Sequence, residues 1–181
     1  MKRTIVLGKF SPLHIGHISL IQFAERSYTG LTILVDNNDC FDIPISDRVS
    51  ILKRTFPHLD IRGIKESTFQ NPEESDMFWE YWEKIINKYI PEGISCIVGS
   101  MDYVKELALK MGCSYTIIDR ERLAINISAT EIKKDLNKNW HYLAPESKAY
   151  LTKSIAIVGA ESCGKSTLTK KLAEKFNTVF V

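Results

Sequence analysis

Apolar residues along this 181-residue chain fall into two alternating spacings. Short runs in which nearly every position is apolar, at 4–7, 31–35 and 94–98, suit strands of a sheet covered on both faces. Two weaker runs, 59–64 and 114–119, read as further strands. Between them apolar residues recur at helical spacing. Ile18, Ile21 and Ala24 mark the inner face of a helix over about 17–28, which Gly30 ends. Val49, Leu52 and Phe56 mark a second, capped by Ser46 and stopped by Pro57. Phe78, Trp82, Ile85, Ile86 and Tyr89 form one stripe of a third, over about 76–89. Val104, Leu107, Ala108 and Met111 face inward on a fourth, over about 102–111, terminated by Gly112. Five strands with helical crossovers predict an α/β fold with a doubly wound parallel five-stranded sheet, because right-handed crossovers leave few other topologies.

Composition adds limits. With 44% hydrophobic and 25% charged residues, the chain is an ordinary globular protein, large enough for one full core plus something extra. A net charge of +2 is too weak to imply a surface for polyanions, so no nucleic-acid partner is expected. No apolar run approaches the roughly 20 residues of a membrane helix, and no membrane partner is expected. Met1-Lys2-Arg3 leads straight into the first strand, with no targeting segment ahead of it. Cys40, Cys96, Cys113 and Cys163 are scattered and read as buried or incidental thiols in a cytoplasmic protein. A homo-oligomer is compatible with all of this.

The first strand runs into Gly8-Lys9-Phe10-Ser11-Pro12-Leu13-His14-Ile15-Gly16-His17 and then a helix. Strand, glycine turn and helix in that order place backbone N–H groups and a positive dipole end at the carboxyl edge of a parallel sheet. His14 and His17 flank the helix start, Lys9 adds charge, and Pro12 keeps the turn from becoming helical. The stretch reads as a nucleotide phosphate site.

Three further features carry chemistry. Phe78, Ile86 and Tyr89 read as core, whereas Trp79 and Trp82 divide between core packing and a platform for a planar, electron-poor ring. Ser128 opens a helix, with Glu131 completing a capping box. On its own that is merely a helix start. Finally, an apolar run at 154–158 precedes Gly159-Ala160-Glu161-Ser162-Cys163-Gly164-Lys165-Ser166-Thr167, then a helix with Leu168, Leu172 and Phe176 on one face. This strand–loop–helix pattern fits a phosphate loop. Its amides surround phosphates, Lys165 reaches the β and γ oxygens, and Ser166 binds a magnesium ion.

The stretch Gly8 to His17 resembles the GxFxPxHxGH pattern of the HxGH nucleotidyltransferase superfamily, and Ile127-Ser128-Ala129-Thr130-Glu131-Ile132-Lys133 resembles its ISxTxIR element. Lys133 stands where arginine is usual, which keeps the charge but loses the planar fork and lowers the expected grip on a triphosphate. With the phosphate loop following, the order of motifs resembles the bifunctional NadR-type family, which joins a nicotinamide-mononucleotide adenylyltransferase to a ribosylnicotinamide kinase. Asp47-Arg48, Trp79-x-x-Trp82 and Asn139-Trp140-His141-Tyr142-Leu143-Ala144-Pro145 belong to the same likeness. The loop 36–42 lacks the arginine that some relatives carry.

The resemblance implies a Rossmann-like sheet and the reaction of nicotinamide mononucleotide with ATP to give NAD and pyrophosphate. ATP is a substrate and magnesium accompanies it, with no metal held by the protein alone. The implied catalytic residues are His14, His17 and Lys9. Gly8, Phe10, Gly16, Ser128, Thr130 and Lys133 bind the nucleotide, and Trp79, Trp82 and Ser100 the nicotinamide substrate. Gly159, Gly164, Lys165, Ser166 and Thr167 form the second phosphate site. The expected organisation is a transferase domain at 1–137, a linker at 138–152, and the start of a kinase domain at 153–181. Its remaining residues hold no acidic magnesium partner, base or acceptor pocket, so kinase activity is expected to be absent and the segment only loosely docked. The alternatives are a transferase of the same fold acting on phosphopantetheine or a polyol phosphate, a kinase, and a non-catalytic nucleotide sensor.

Overall fold

The computed structural model describes residues 1–37, 43–69, 71–120 and 126–180. Five parallel strands, β1 (Arg3–Gly8), β2 (Leu31–Val35), β3 (Asp60–Gly63), β4 (Ile94–Gly99) and β5 (Ser114–Ile117), form one sheet in the order β3-β2-β1-β4-β5. In β1 and β2 the apolar run is buried on both faces, with Ile5, Val6, Ile33 and Leu34 fully enclosed. Each such side chain contributes about 1.5–3 kcal/mol relative to exposure. The order reverses direction between β1 and β4, and such a switch point opens a crevice at the carboxyl ends of the strands.

Helices α1 (Ile15–Ser27), α2 (Ile45–Thr55), α3 (Phe78–Tyr89), α4 (Tyr103–Lys110) and α5 (Ala129–Lys134) follow in chain order. Trp82, Ile85 and Ile86 of α3 pack with Leu107 and Ala108 of α4 against Ile5 and Ile97 of the sheet. A Cβ on Gly99 would stand 2.5 Å from Val104, so only glycine lets α4 lie this close to the end of β4. At the opposite, amino edge, Arg3 spans three strands, donating to Thr32 at 2.8 Å and to Asp60 at 2.7 Å. Arg62 bridges Asp60 and Glu92.

Several starts and caps differ from the sequence reading. Helix α1 begins at Ile15, because the His14 ring takes the cap position and accepts the Gly16 N–H at 3.1 Å. Pro44, not Ser46, precedes α2; no side chain caps it, and the proline's fixed φ of −53° leads into the first turn. Ser128 does cap α5, accepting the Glu131 N–H at 3.1 Å. The Glu131 carboxylate, however, takes the Ser128 hydroxyl at 2.8 Å rather than its backbone N–H.

The chain divides into two compact units, Met1–Tyr150 and Leu151–Val181. Residues 138–150 are ordered structure of the first unit. A 3-10 turn at Trp140–Tyr142 leads to a bridge between Leu143 and His14, and the Ala144 N–H donates to the Leu13 carbonyl at 3.1 Å. Helix α6 (Pro145–Leu151) follows, with Glu146 accepting from Thr55 and Tyr150 donating to Asp47. In the second unit, the apolar run at 154–158 forms no strand, since a lone strand has no ladder partner. Its helix, α7, spans Lys165–Phe176. Cys96 is buried, Cys113 half-buried and Cys163 exposed; Cys40 and the rest of the loop from 38 to 42 lie outside the described residues. Among the described residues no helix is long and apolar enough to cross a membrane.

Candidate active site

Two adjoining cavities open over the β1–β4 switch point, of about 400 Å³ and about 560 Å³. They share a wall made of Leu7, Gly8, Lys9, Ser100, Met101 and Tyr103. The Tyr103 hydroxyl donates to the Leu7 carbonyl at 3.4 Å, and burial pushes its pKa up to about 12, so it remains neutral.

The smaller cavity gathers the two sequence motifs. Phe10, His14, Gly16 and His17 line it from the turn after β1, and Ser128, Thr130 and Lys133 from the start of α5. Because His14 Nδ1 accepts the Gly16 N–H, the proton of its neutral ring sits on Nε2, leaving that edge as a donor. His17 stacks on His14, with ring centroids 3.8 Å apart and 30° between planes, and Phe10 meets His17 edge-on at 5.1 Å. Phe10 has φ of +51° and folds back over Gly8. A Cβ at Gly8 would lie 3.0 Å from the Phe10 ring, so that glycine makes room for the phenylalanine as well as for any ligand.

The larger cavity is aromatic. Phe69, Phe78, Trp79 and Trp82 wall it, together with Ser100 from the shared side. Trp82 is a member of the core, 5% exposed, and donates Nε1–H to the Phe69 carbonyl at 3.3 Å. Trp79 is half-buried and packs edge-on against Phe78. The two tryptophans thus serve the core and the cavity at once, with Trp79 the more accessible face. At the rim Arg120 pairs with Asp102 at 2.6 Å, both exposed.

Residues without an assigned role in the sequence reading support the site from beneath. Arg48, 1% exposed, donates to the carbonyls of Ile43, Lys9 and Asp36 at 2.9, 2.9 and 2.6 Å. Burial lowers its pKa, and the neighbouring Asp36 charge opposes that. Asp36, at the carboxyl end of β2, lines the aromatic cavity and accepts the Thr68 hydroxyl. Burial raises its pKa, while the Thr68 bond, Lys9 and Arg48 pull it back down. Its place just past a buried strand was the one available signal.

The second phosphate loop belongs to the other unit. Ser162 and Gly164 adopt left-handed φ of +59° and +84°, and Lys165 Nζ donates to the carbonyls of Gly159 and Ala160 at 3.0 and 2.6 Å. Ser166 and Thr167 lie, exposed, in the first turn of α7, a helix whose one buried residue is Ala173.

Taken together, sheet order and crevice define a Rossmann-like α/β fold. No protein-family model matches the chain. It is 33% identical, over 96% of its length, to the trifunctional NAD biosynthesis/regulator protein NadR of Salmonella typhimurium, covering 46% of that protein. It is 26% identical to the nicotinamide-nucleotide adenylyltransferase of Thermococcus onnurineus, over 85% of this chain and 83% of that one. A crystal structure of NadR in complex with NAD and AMP-PNP superposes with a TM-score of 0.72 at 22% identity, over 97% of this chain and 54% of the other. Its homologues are therefore NadR proteins and nicotinamide-nucleotide adenylyltransferases, and the chain spans about half the length of the curated NadR relatives it matches.

Proposed function

We propose that the first unit transfers the adenylyl group of ATP to nicotinamide mononucleotide, giving NAD and pyrophosphate. The supporting observation is the pair of cavities with a common wall at Lys9: one lined by imidazoles, hydroxyls and a lysine, the other by aromatic rings. The relatives' names point the same way.

In this reading a phosphate oxygen of the mononucleotide attacks the α-phosphorus of ATP. The new P–O bond forms as the bond to the β-phosphate oxygen breaks, and pyrophosphate carries that electron pair away. The nucleophile is already anionic at neutral pH, so no strong general base is required. What the residues supply is approach and charge balance. His14 and His17 donate to the triphosphate, assisted by the start of α1; Ser128 and Thr130 hold its tail; Lys9 and Lys133 offset negative charge. Among the described residues no group of three His, Cys, Asp or Glu is placed to hold a metal ion. Magnesium enters as part of the substrate, carried on the ATP phosphates. Trp79 and Trp82 stack the nicotinamide ring, and Ser100 lies at the junction.

The boundaries that go with this reading are a transferase domain from 1 to 137, completed by the ordered stretch that follows. For the second unit, Gly159, Gly164, Lys165, Ser166 and Thr167 form a phosphate-binding loop. The test is incubation of the full chain with ATP, magnesium and nicotinamide mononucleotide, with NAD and pyrophosphate measured together. Product is expected with this acceptor and not with phosphopantetheine or glycerol phosphate; pyrophosphate release with those alone overturns the reading.

A further inference from the structure

We infer that Asp36 is a specificity-determining residue of the aromatic cavity, selecting an acceptor whose ring is cationic and whose ring substituent donates hydrogen bonds over one whose substituent is a carboxylate. The inference rests on the reaction proposed above and names what that same cavity distinguishes.

Asp36 is held in place from three directions. Its N–H donates to the Gly8 carbonyl at 3.0 Å, its carbonyl accepts from Arg48 at 2.6 Å, and Oδ1 accepts the Thr68 hydroxyl. The residue is only 5% exposed, yet it lines the cavity that Trp79 and Trp82 also line. Its distance from the aromatic wall is fixed by a short chain of contacts. Thr68 holds the carboxylate, Phe69 follows directly, and the Phe69 carbonyl accepts the Trp82 indole N–H. Carboxylate and ring platform are therefore joined by two hydrogen bonds and one peptide link.

Among the described charged residues that line the cavity Asp36 alone is buried, and Glu74, whose charge acts on it, does not line the cavity. Asp102 is exposed and ion-paired to Arg120 at the rim. Lys9 sits on the wall shared with the triphosphate cavity, where the acceptor's phosphate must lie to reach the α-phosphorus. A carboxylate has a second oxygen beyond the one that Thr68 occupies. In a largely aromatic cavity that oxygen favours a pyridinium ring and an amide N–H. A ring carboxylate has no N–H to offer and brings a like charge, which is costly where water is displaced.

The test compares wild type and Asp36→Asn, which keeps an acceptor for Thr68 and removes the charge. Steady-state rates are measured with ATP and either nicotinamide mononucleotide or nicotinate mononucleotide. The expected result is a fall of about tenfold or more in the ratio of the two kcat/KM values, carried by acceptor KM, with KM for ATP unchanged. A ratio within threefold of wild type, or an equal loss with both acceptors, overturns the inference and leaves Asp36 as a structural post. Titration of tryptophan fluorescence in the wild-type chain keeps the inference open to refutation even if the variant does not fold. The amide-bearing mononucleotide is expected to bind at least about tenfold more tightly, and equal affinities overturn the assignment. Failure of the proposed reaction looks different: no pyrophosphate from wild type with either acceptor.

Discussion

The chain carries two glycine-containing loops that each lead into a helix, and they have opposite surroundings. The turn after β1 is enclosed. Phe10, Ser11, Leu13 and His14 are buried, Arg48 holds the Lys9 carbonyl from below, and Leu143 and Ala144 pair with the turn from outside. The loop before α7 is exposed, no strand forms ahead of it, and Lys165 bonds the loop's own carbonyls. Both expose amides at a helix start, which suits an anion. The bonds that hold the first reach far along the chain, whereas those of Lys165 stay within its own loop. A phosphate-binding pattern is local, whereas the precision that adenylyl transfer needs comes from the packing around it.

The sharpest way to break this comparison is His17→Ala. Adenylyl transfer is expected to fall about a hundredfold or more, with the unfolding midpoint nearly unchanged, because the ring serves the ligand more than the core. Turnover within threefold of wild type would remove the role assigned to the imidazole.

Next comes Arg48→Met, which keeps bulk but leaves three carbonyls without their donor. A loss of about 3 kcal/mol in urea unfolding is expected, with the rate of NAD formation falling as the turn loosens. A loss below about 0.5 kcal/mol would mean that the enclosed loop does not depend on its buried support.

A smaller effect is expected in acid. Lys88 first, and then Tyr89, pull the Glu66 carboxyl down to about 2. A carboxylate depressed in the folded state binds fewer protons there than in the unfolded chain, so its contribution is complete above the ordinary value near 4.5 and disappears as pH falls towards 2. Glu66 lies in the segment that carries Thr68 and Phe69. All three tryptophans, Trp79, Trp82 and Trp140, lie in the first unit. Their fluorescence should therefore change within this window, and Lys88→Met should move the change to higher pH. An unshifted profile would detach Glu66 from the cavity wall.

The smallest effect is expected from Lys165→Ala, less than about 0.5 kcal/mol in unfolding, since water can replace its bonds to exposed carbonyls. A larger loss would show that the second loop is as firmly built as the first.

How far the sequence could be read follows the same division. β1, β2 and β4 were legible because runs buried on both faces need apolar residues at every position, and the doubly wound parallel sheet, though not its strand order, followed from crossover handedness. The motif residues were legible because they lie close together along the chain, and the smaller cavity does contain His14, His17, Ser128 and Thr130 together. Starts were less legible. Histidine is an unusual cap, and nothing in the apolar spacing places α1 two residues earlier than expected. The run at 154–158 has strand composition, but composition supplies no neighbour to pair with. Asp36 and Arg48 owe their importance to partners far along the chain, Thr68 and Lys9 among them, and such contacts leave no mark on local periodicity.

The closure of the first turn by Leu143 and Ala144 also bears on the order of assembly. A ribosome releases the Gly8–His17 stretch well before the segment that buttresses it, which lies far along the chain at Leu143 and Ala144. The histidine pair is thus synthesised well before the residues that close over its turn, so nucleotide binding should appear late in folding, once Leu143 and Ala144 have docked.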